Sequence, residues 1–231
     1  MAKLFLLFIL ILSLEAKENA LDAFKNKEYA KAFKLYTLDA KSGNTTAQNA
    51  LSYLYFNGLG TQKDLDKGLY WLEKAADAND SVASYDLGMM YLSGYNVDKN
   101  SSKAFELLSK SSDLDNMNAK YNLALMYYNG DATDLNVTKT AELLDSAALQ
   151  GQQDAVRNIG RIYMQLLKFD KAAFWLEKNA AQNDKDAYYL LAEIYCEQEK
   201  FSDAKKWAKK SIESGNKTAK ELWDKYDLAK Y

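Results

Sequence analysis

Residues 82–113 read VASYDLGMMYLSGYNVDKNSSKAFELLSKSSD, and the spacing of their apolar and small side chains decides the fold. Ala83, Leu87, Gly88 and Tyr91 share one face at helical spacing, which predicts an amphipathic helix. Gly94 stands where that helix should end, because a glycine there accepts the left-handed backbone that closes helices. The polar stretch from Tyr95 to Ser101 reads as a loop. A second helix is expected near Ser102, burying Ala104, Phe105, Leu107, Leu108 and Ser111.

The same unit recurs along the chain. Ala47, Ala83, Ala119, Ala155, Ala187 and Ala219 lie at intervals of 36, 36, 36, 32 and 32 residues. The first five are followed four residues on by Leu51, Leu87, Leu123, Ile159 and Leu191, and eight residues on by Tyr55, Tyr91, Tyr127, Tyr163 and Tyr195. Such a period marks stacked helical repeats, in which each unit buries its apolar face against its neighbours. Gly58 and Gly130 repeat the place of Gly94. Second helices recur at Gly68, Leu69, Trp71, Leu72, Ala75 and Ala76, and at Ala141, Leu143, Leu144, Ala147 and Ala148. Small residues let two helices approach to roughly 8–10 Å. The large Tyr and Leu fill the space between pairs, so truncating one should cost roughly 2–5 kcal/mol.

From Ala155 the repeat is four residues shorter and lacks the glycine loop. Lys168 to Ala172 and Lys200 to Ala204 read as tight turns, as does Glu28 to Ala32 in the opening unit. The expected fold is all-α, with about six helix-pair repeats and a capping helix from about Ala219 to Ala229.

Composition narrows the function. The chain has 231 residues, 48% of them apolar, and a net charge of −2, so neither a nucleic-acid footprint nor an acidic tail is indicated. It has no histidine, which removes the commonest general base and neutral metal ligand. Residues 1–16 read as a secretory signal: Lys3, an apolar stretch from Leu4 to Leu14, and the small Ala16 before a cleavage point. Residues 17–231 then form one repeat domain. A retained anchor is the alternative, although eleven apolar residues fall short of the roughly 20 that span a bilayer. The single Cys196 is a free thiol or half of an intermolecular bridge.

The pattern Ala-x-x-x-Leu-Gly-x-x-Tyr-x-x-Gly resembles the Sel-one-like repeat of the tetratricopeptide-like superfamily. Ala83, Leu87, Gly88, Tyr91, Gly94, Ala104 and Leu108 carry it, and Ala47, Leu51, Tyr55, Gly58, Trp71, Leu72, Ala75 and Ala76 match closely. The short units resemble the tetratricopeptide repeat itself. Ser111-Ser112 in place of Ala-Ala, and Ser52 in place of Gly, are departures confined to single repeats. The resemblance implies a right-handed α/α superhelical solenoid acting as an adaptor that holds partners together, in a secreted bacterial protein. It also implies that the first helix of each pair lines the binding surface. Offsets of two, six and nine from each alanine then give Asn49, Tyr53, Phe56, Tyr85, Met89, Leu92, Tyr121, Leu125, Tyr128, Arg157, Arg161, Met164, Tyr189, Glu193 and Cys196. The residues expected to contact a partner are Tyr53, Phe56, Tyr85, Met89, Leu92, Tyr121, Leu125, Tyr128, Arg157 and Arg161. A peptide with an acidic end would suit aromatic side chains followed by two arginines. Core packing is the competing role for a tyrosine stripe.

Asn-x-Ser/Thr sequons start at Asn44, Asn79, Asn100, Asn136 and Asn216, and Asp precedes Asn79, Asn100 and Asn136 by two residues. That longer form resembles the acceptor of bacterial oligosaccharyltransferases, so these three are expected glycosylation sites in inter-helix loops. Turn chemistry would account for the same residues. A calcium loop is excluded by the missing Gly and Glu at its sixth and twelfth positions. Ser202-Asp203-Ala204-Lys205 and Ser214-Gly215-Asn216-Lys217 match Ser-x-x-Lys of β-lactamases, but the companion motifs are absent. The expectation is a non-catalytic periplasmic adaptor of a Gram-negative bacterium, without cofactor or metal, binding a protein or peptide but no nucleic acid. A secreted host-interaction factor and a β-lactamase-like hydrolase are the alternatives.

Overall fold

The computed structural model describes residues 20–231. The expected signal over residues 1–16 lies outside the described residues. Helix α1 covers 20–25. It is followed by α2 (Tyr29–Lys41), α3 (Thr45–Asn57), α4 (Leu65–Asp77), α5 (Ser81–Ser93), α6 (Ser101–Asp113) and α7 (Met117–Asn129). Then come α8 (Val137–Leu149), α9 (Gln153–Gln165), α10 (Phe169–Ala181), α11 (Lys185–Glu197), α12 (Phe201–Glu213) and α13 (Thr218–Lys225). No strand occurs among the described residues, and none of their helices is long and apolar enough to cross a membrane.

Turn chemistry explains the two repeat lengths. Between repeats, three-residue turns place Gly43, Asn79, Asp115, Gly151 and Asn183 at positive φ, and the connection 214–217 does the same with Gly215; Gly, Asn and Asp are tolerated best there. Within the long repeats, α3–α4, α5–α6 and α7–α8 are joined by residues 58–64, 94–100 and 130–136. Gly94 closes α5 at φ 77°, as its position predicted. Within the short repeats three residues suffice, which accounts for the four-residue difference. Those turns are 166–168 and 198–200, and their αL residues are Leu167 and Glu199. The tight turns expected over Lys168–Ala172, Lys200–Ala204 and Glu28–Ala32 therefore sit too far along the sequence. Phe169, Phe201 and Tyr29 already begin helices, because their aromatic rings must enter the packing between helices.

The chain divides into two compact units, one ending at Ala119 and the other running from Lys120 to Tyr231. In the first, α2 packs on α3, α3 on α4, α4 on α5 and α5 on α6. Alanines carry the closest approaches: Ala32, Ala40, Ala75, Ala83 and Ala104 are fully buried. A Cβ at Gly88 would lie 3.0 Å from Leu108 Cγ, so only glycine admits that leucine without a shift. Ser111, which replaces the usual alanine, is buried but donates to the Ser81 carbonyl at 2.6 Å, so the departure leaves no unpaired hydroxyl. The buried apolar residues form two clusters here, one around Leu51 and Leu54 and one around Leu72 and Leu87.

In the second unit α8 to α13 likewise pack in order, over one cluster running from Ala124 to Leu228. Gly160 meets Leu176 as Gly88 meets Leu108, and more tightly, with 2.7 Å to Cγ. Trp175 and Trp207 are buried in this core, and Trp175 Nε1 donates to Asp145 at 2.8 Å. The end of the chain differs from expectation. The capping helix stops at Lys225, Asp227 turns left-handed at φ 46°, and a 3-10 turn at Leu228–Lys230 buries Leu228. The repeating tyrosines also gain a repeating partner. A lysine from the second helix stands over the ring at 5.7 Å for Lys67 and Tyr55, 4.9 Å for Lys103 and Tyr91, and 5.2 Å for Lys171 and Tyr163.

Candidate functional site

In the first unit, α3 and α5 flank an open cleft of about 600 Å³. The three-residue turn after α4 returns the chain so that the offset-six and offset-nine side chains of α3 meet α5. Tyr53, Phe56 and Met89 line the cleft, with Asn49, Leu72, Met90 and Tyr95. Tyr53 is 51% exposed and touches the edge of Phe24, 6.0 Å between centroids. Phe56 leans on α4, where a Cβ at Gly68 would come within 2.6 Å of its ring. One charged side chain lines the cleft, and sequence reasoning missed it. Asp86 sits three residues after Ala83, on α5. Burial, and then the like charge of Asp80, push its carboxyl up to about 6, while a hydrogen bond from the Asn49 amide pulls it back. Its signal in the sequence was an acid at an offset where other repeats carry Ala50, Asn122, Asn158 and Leu190.

Tyr85 and Leu92 are half-buried and lie outside that cleft. In the second unit, Tyr121 is also half-buried, and its hydroxyl accepts from Asn158 Nδ2 at 3.4 Å. The offset-two tyrosine thereby spaces one first helix from the next, and burial raises its hydroxyl pKa. Leu125 is half-buried and Tyr128 is 41% exposed. Arg157 and Arg161 share a polar cleft of about 410 Å³ with Asn158, Asn179 and Gln182. Each is ion-paired: Arg157 with Asp154 at 2.9 Å and Arg161 with Asp186 at 3.1 Å. Cys196 does not face a surface. It is 2% exposed, and burial pushes its thiol up to about 11, which leaves it an inert free thiol. The structure thus gathers Tyr53, Phe56 and Met89 in one cleft and the two arginines in another.

The three sequons with a preceding Asp have backbone roles. Asn100 and Asn136 are the last residues of their inter-helix loops and act as N-caps: their side chains accept from the Lys103 and Lys139 amides at 3.0 and 2.9 Å. Asn79 holds the αL position between α4 and α5 at φ 64° and is exposed. The Ser-x-x-Lys matches are spent on structure. Lys205 Nζ donates to the Ala229 carbonyl at 3.1 Å, and Ser214 Oγ donates to the Ser211 carbonyl at 2.7 Å. Among the described residues no group of three or more Cys, Asp or Glu could hold a metal ion.

Helix pairs packed in sequence order, with open clefts on their first helices, define an all-α repeat protein built as a solenoid. The chain belongs to the Sel1 repeat family: the Sel1 repeat matches residues 45–80, 81–116, 118–152, 155–184 and 185–216. It is similar to a Sel1 repeat protein from Oxalobacter formigenes, with 26% identity over 88% of this chain and 87% of that one and a TM-score of 0.70. It is also similar to c5321, a protective antigen present in uropathogenic Escherichia coli strains, with 29% identity over 86% of this chain and a TM-score of 0.67. The chain spans 44% of the length of c5321. No curated protein matches it. Sel1 repeat proteins generally mediate protein–protein interaction and are generally non-catalytic scaffolds.

Proposed function

We propose that this chain is a non-catalytic adaptor that holds a partner protein or peptide against the first helices of its repeats, in the periplasm of a Gram-negative bacterium. The observation that carries this reading is the cleft on α3 and α5, where Tyr53, Phe56 and Met89 surround open space of about 600 Å³. Packing of the repeats uses Leu51, Leu54 and Leu87, which are buried, and leaves Tyr53 half in solvent. Aromatic and methionine side chains presented together are what protein interfaces use for affinity. The leader pattern at residues 1–16 supports export, and the Asp at position −2 supports glycosylation at Asn79, Asn100 or Asn136. Likeness to a protective antigen favours a second reading, a host-interaction factor that uses the same cleft outside the cell.

The test is capture in the native host. The double variant Tyr53→Ser, Met89→Ser should lose its partner with helical content unchanged. The control Tyr70→Ser, at a 55% exposed side chain of α4 outside the cleft, should keep it. Equal capture by all three proteins would overturn the adaptor reading at this site. Fractionation separates periplasmic from released protein, and an intact mass equal to the unmodified chain would remove the glycosylation proposal.

A further inference from the structure

We infer that the cleft between α3 and α5 docks a partner segment through a basic side chain flanked by apolar ones, with the Asp86 carboxylate as the group that the cation meets. This rests on the adaptor reading and names the chemistry of its partner. The repeats themselves are the internal control. Three residues after the anchoring alanine stand Ala50, Asp86, Asn122, Asn158 and Leu190. Where contacts at this offset are seen within one unit, it faces the preceding first helix: Asn158 reaches Tyr121, and Asp86 receives the Asn49 amide. The other four repeats carry a neutral residue there, so the repeat does not require a charge at this offset.

The charge at Asp86 is also badly placed for stability and well placed for a ligand. No lysine or arginine lines the cleft, and Asp80, the nearby acid, adds repulsion while it caps α5 through the Ala83 amide at 2.9 Å. Leu72, Met89 and Met90 provide apolar walls. A low-dielectric wall strengthens the attraction between a carboxylate and an entering cation relative to open solvent. The stem of a lysine or arginine can lie along such walls while its head reaches the acid, and a guanidinium can stack on the Tyr53 or Phe56 ring. An apolar partner would bury the carboxylate unpaired, and an acidic partner would be repelled. Charge complementarity therefore selects a basic side chain. The acidic-ended peptide expected from the two arginines does not fit this cleft.

The test uses the full-length protein with methyl-labelled methionine and three blocked tripeptides: Leu-Arg-Leu, Leu-norleucine-Leu and Leu-Glu-Leu. The arginine peptide should shift the Met89 methyl resonance with a Kd at least fivefold tighter than the norleucine peptide, and the glutamate peptide should bind weakest. Asp86→Asn should reduce the arginine peptide to the level of norleucine, with Asp86→Ala as the second variant should the first misfold. Equal binding of arginine and norleucine to the wild type overturns the inference and leaves the adaptor reading standing. Failure of every peptide to move Met89 also overturns it, and the capture comparison then judges the adaptor reading separately. Concentration-dependent self-association that Asp86→Asn abolishes would assign the cleft to a second copy of the chain, and would overturn it too.

Discussion

The long repeats of the first unit and the short repeats of the second solve the same packing problem with opposite surfaces. Around Ala83 the offsets three and six carry Asp86 and Met89, which line a cleft that stays open, and offset nine carries Leu92 outside it. Around Ala155 they carry Asn158, Arg161 and Met164: Asn158 bonds to Tyr121 and Arg161 pairs with Asp186. Around Ala187, offset nine is the buried Cys196. The core follows the same division. It forms two clusters in the first unit, and the open cleft is lined by Leu72 and Met90 of one of them. In the second unit the buried tryptophans join one continuous cluster. The difference teaches that the repeat fixes the backbone, while a few side chains at set offsets decide whether a surface is filled or left available.

The strongest test of this difference is in the core. Leu108 and Leu176 occupy the same place, against Gly88 and Gly160, and both are essentially fully buried. Changing either to alanine should cost about 2–5 kcal/mol. Because a solenoid is stabilised through nearest neighbours, the loss should be concentrated in the unit that carries the change. Hydrogen exchange read by unit checks this. Equal loss of protection in both units for each variant would show that the two regions unfold as one.

Asp86→Asn should act in the opposite direction. The folded carboxyl titrates near 6, above its ordinary value of 3.8, so the native state holds the proton more tightly than the unfolded chain. Stability from the neutral form is present below the unfolded pKa and is lost as pH rises through about 6. The asparagine variant should therefore be more stable than wild type by about 1–2 kcal/mol at pH 7.5, after allowance for partial solvation. The gap should close near pH 3.5. Paired urea unfolding at the two pH values measures it. A gap that does not change with pH would deny that ionised Asp86 costs stability, and would weaken the contrast between the two surfaces.

A third test concerns the short turns. Leu167 holds φ 56° with its side chain 74% exposed, so the strain of a left-handed leucine is offset by little burial. Leu167→Gly should stabilise the protein by about 0.5–1 kcal/mol, the relief being reduced by glycine's extra freedom in the unfolded chain. The change appears in the thermal midpoint. Loss of stability would mean that the leucine packs more than its exposure indicates.

How much of this was legible in the sequence depends on whether a residue's role is set locally. The alanine ladder, Gly88 and Gly94 could be read, because a small residue at a close approach or a glycine at a helix end has one dominant physical use. Arg161 and Met89 could be placed on the first helix by offset, but not assigned to a filled or an open surface, since that depends on Asp186 and on the width of the cleft. Asp86 was passed over because a single acid on a helix normally reads as a solvated face, and only its burial makes it unusual. Asn100 and Asn136 remained ambiguous because a cap and a sugar acceptor ask for the same residue. Leu167 gave no signal at all, since leucine is among the residues least suited to the αL position.

The smallest expected effect is at Arg161. Its pair with Asp186 joins two exposed side chains, 52% and 75% accessible, across the α9 and α11 helices. An ion pair in that setting gains little in high dielectric and is screened by salt, so Arg161→Ala should change stability by less than about 0.5 kcal/mol. Thermal unfolding at low and at 0.5 M salt should show no resolvable difference from wild type in the second condition. A loss that persists in high salt would mean that the guanidinium stem packs on its neighbours rather than merely pairing with an acid. The arginine cleft would then be part of the filled surface by packing and not by charge. That outcome would narrow the contrast with α5, because charge would decide the surface only where Asp86 stands without a cation beside it.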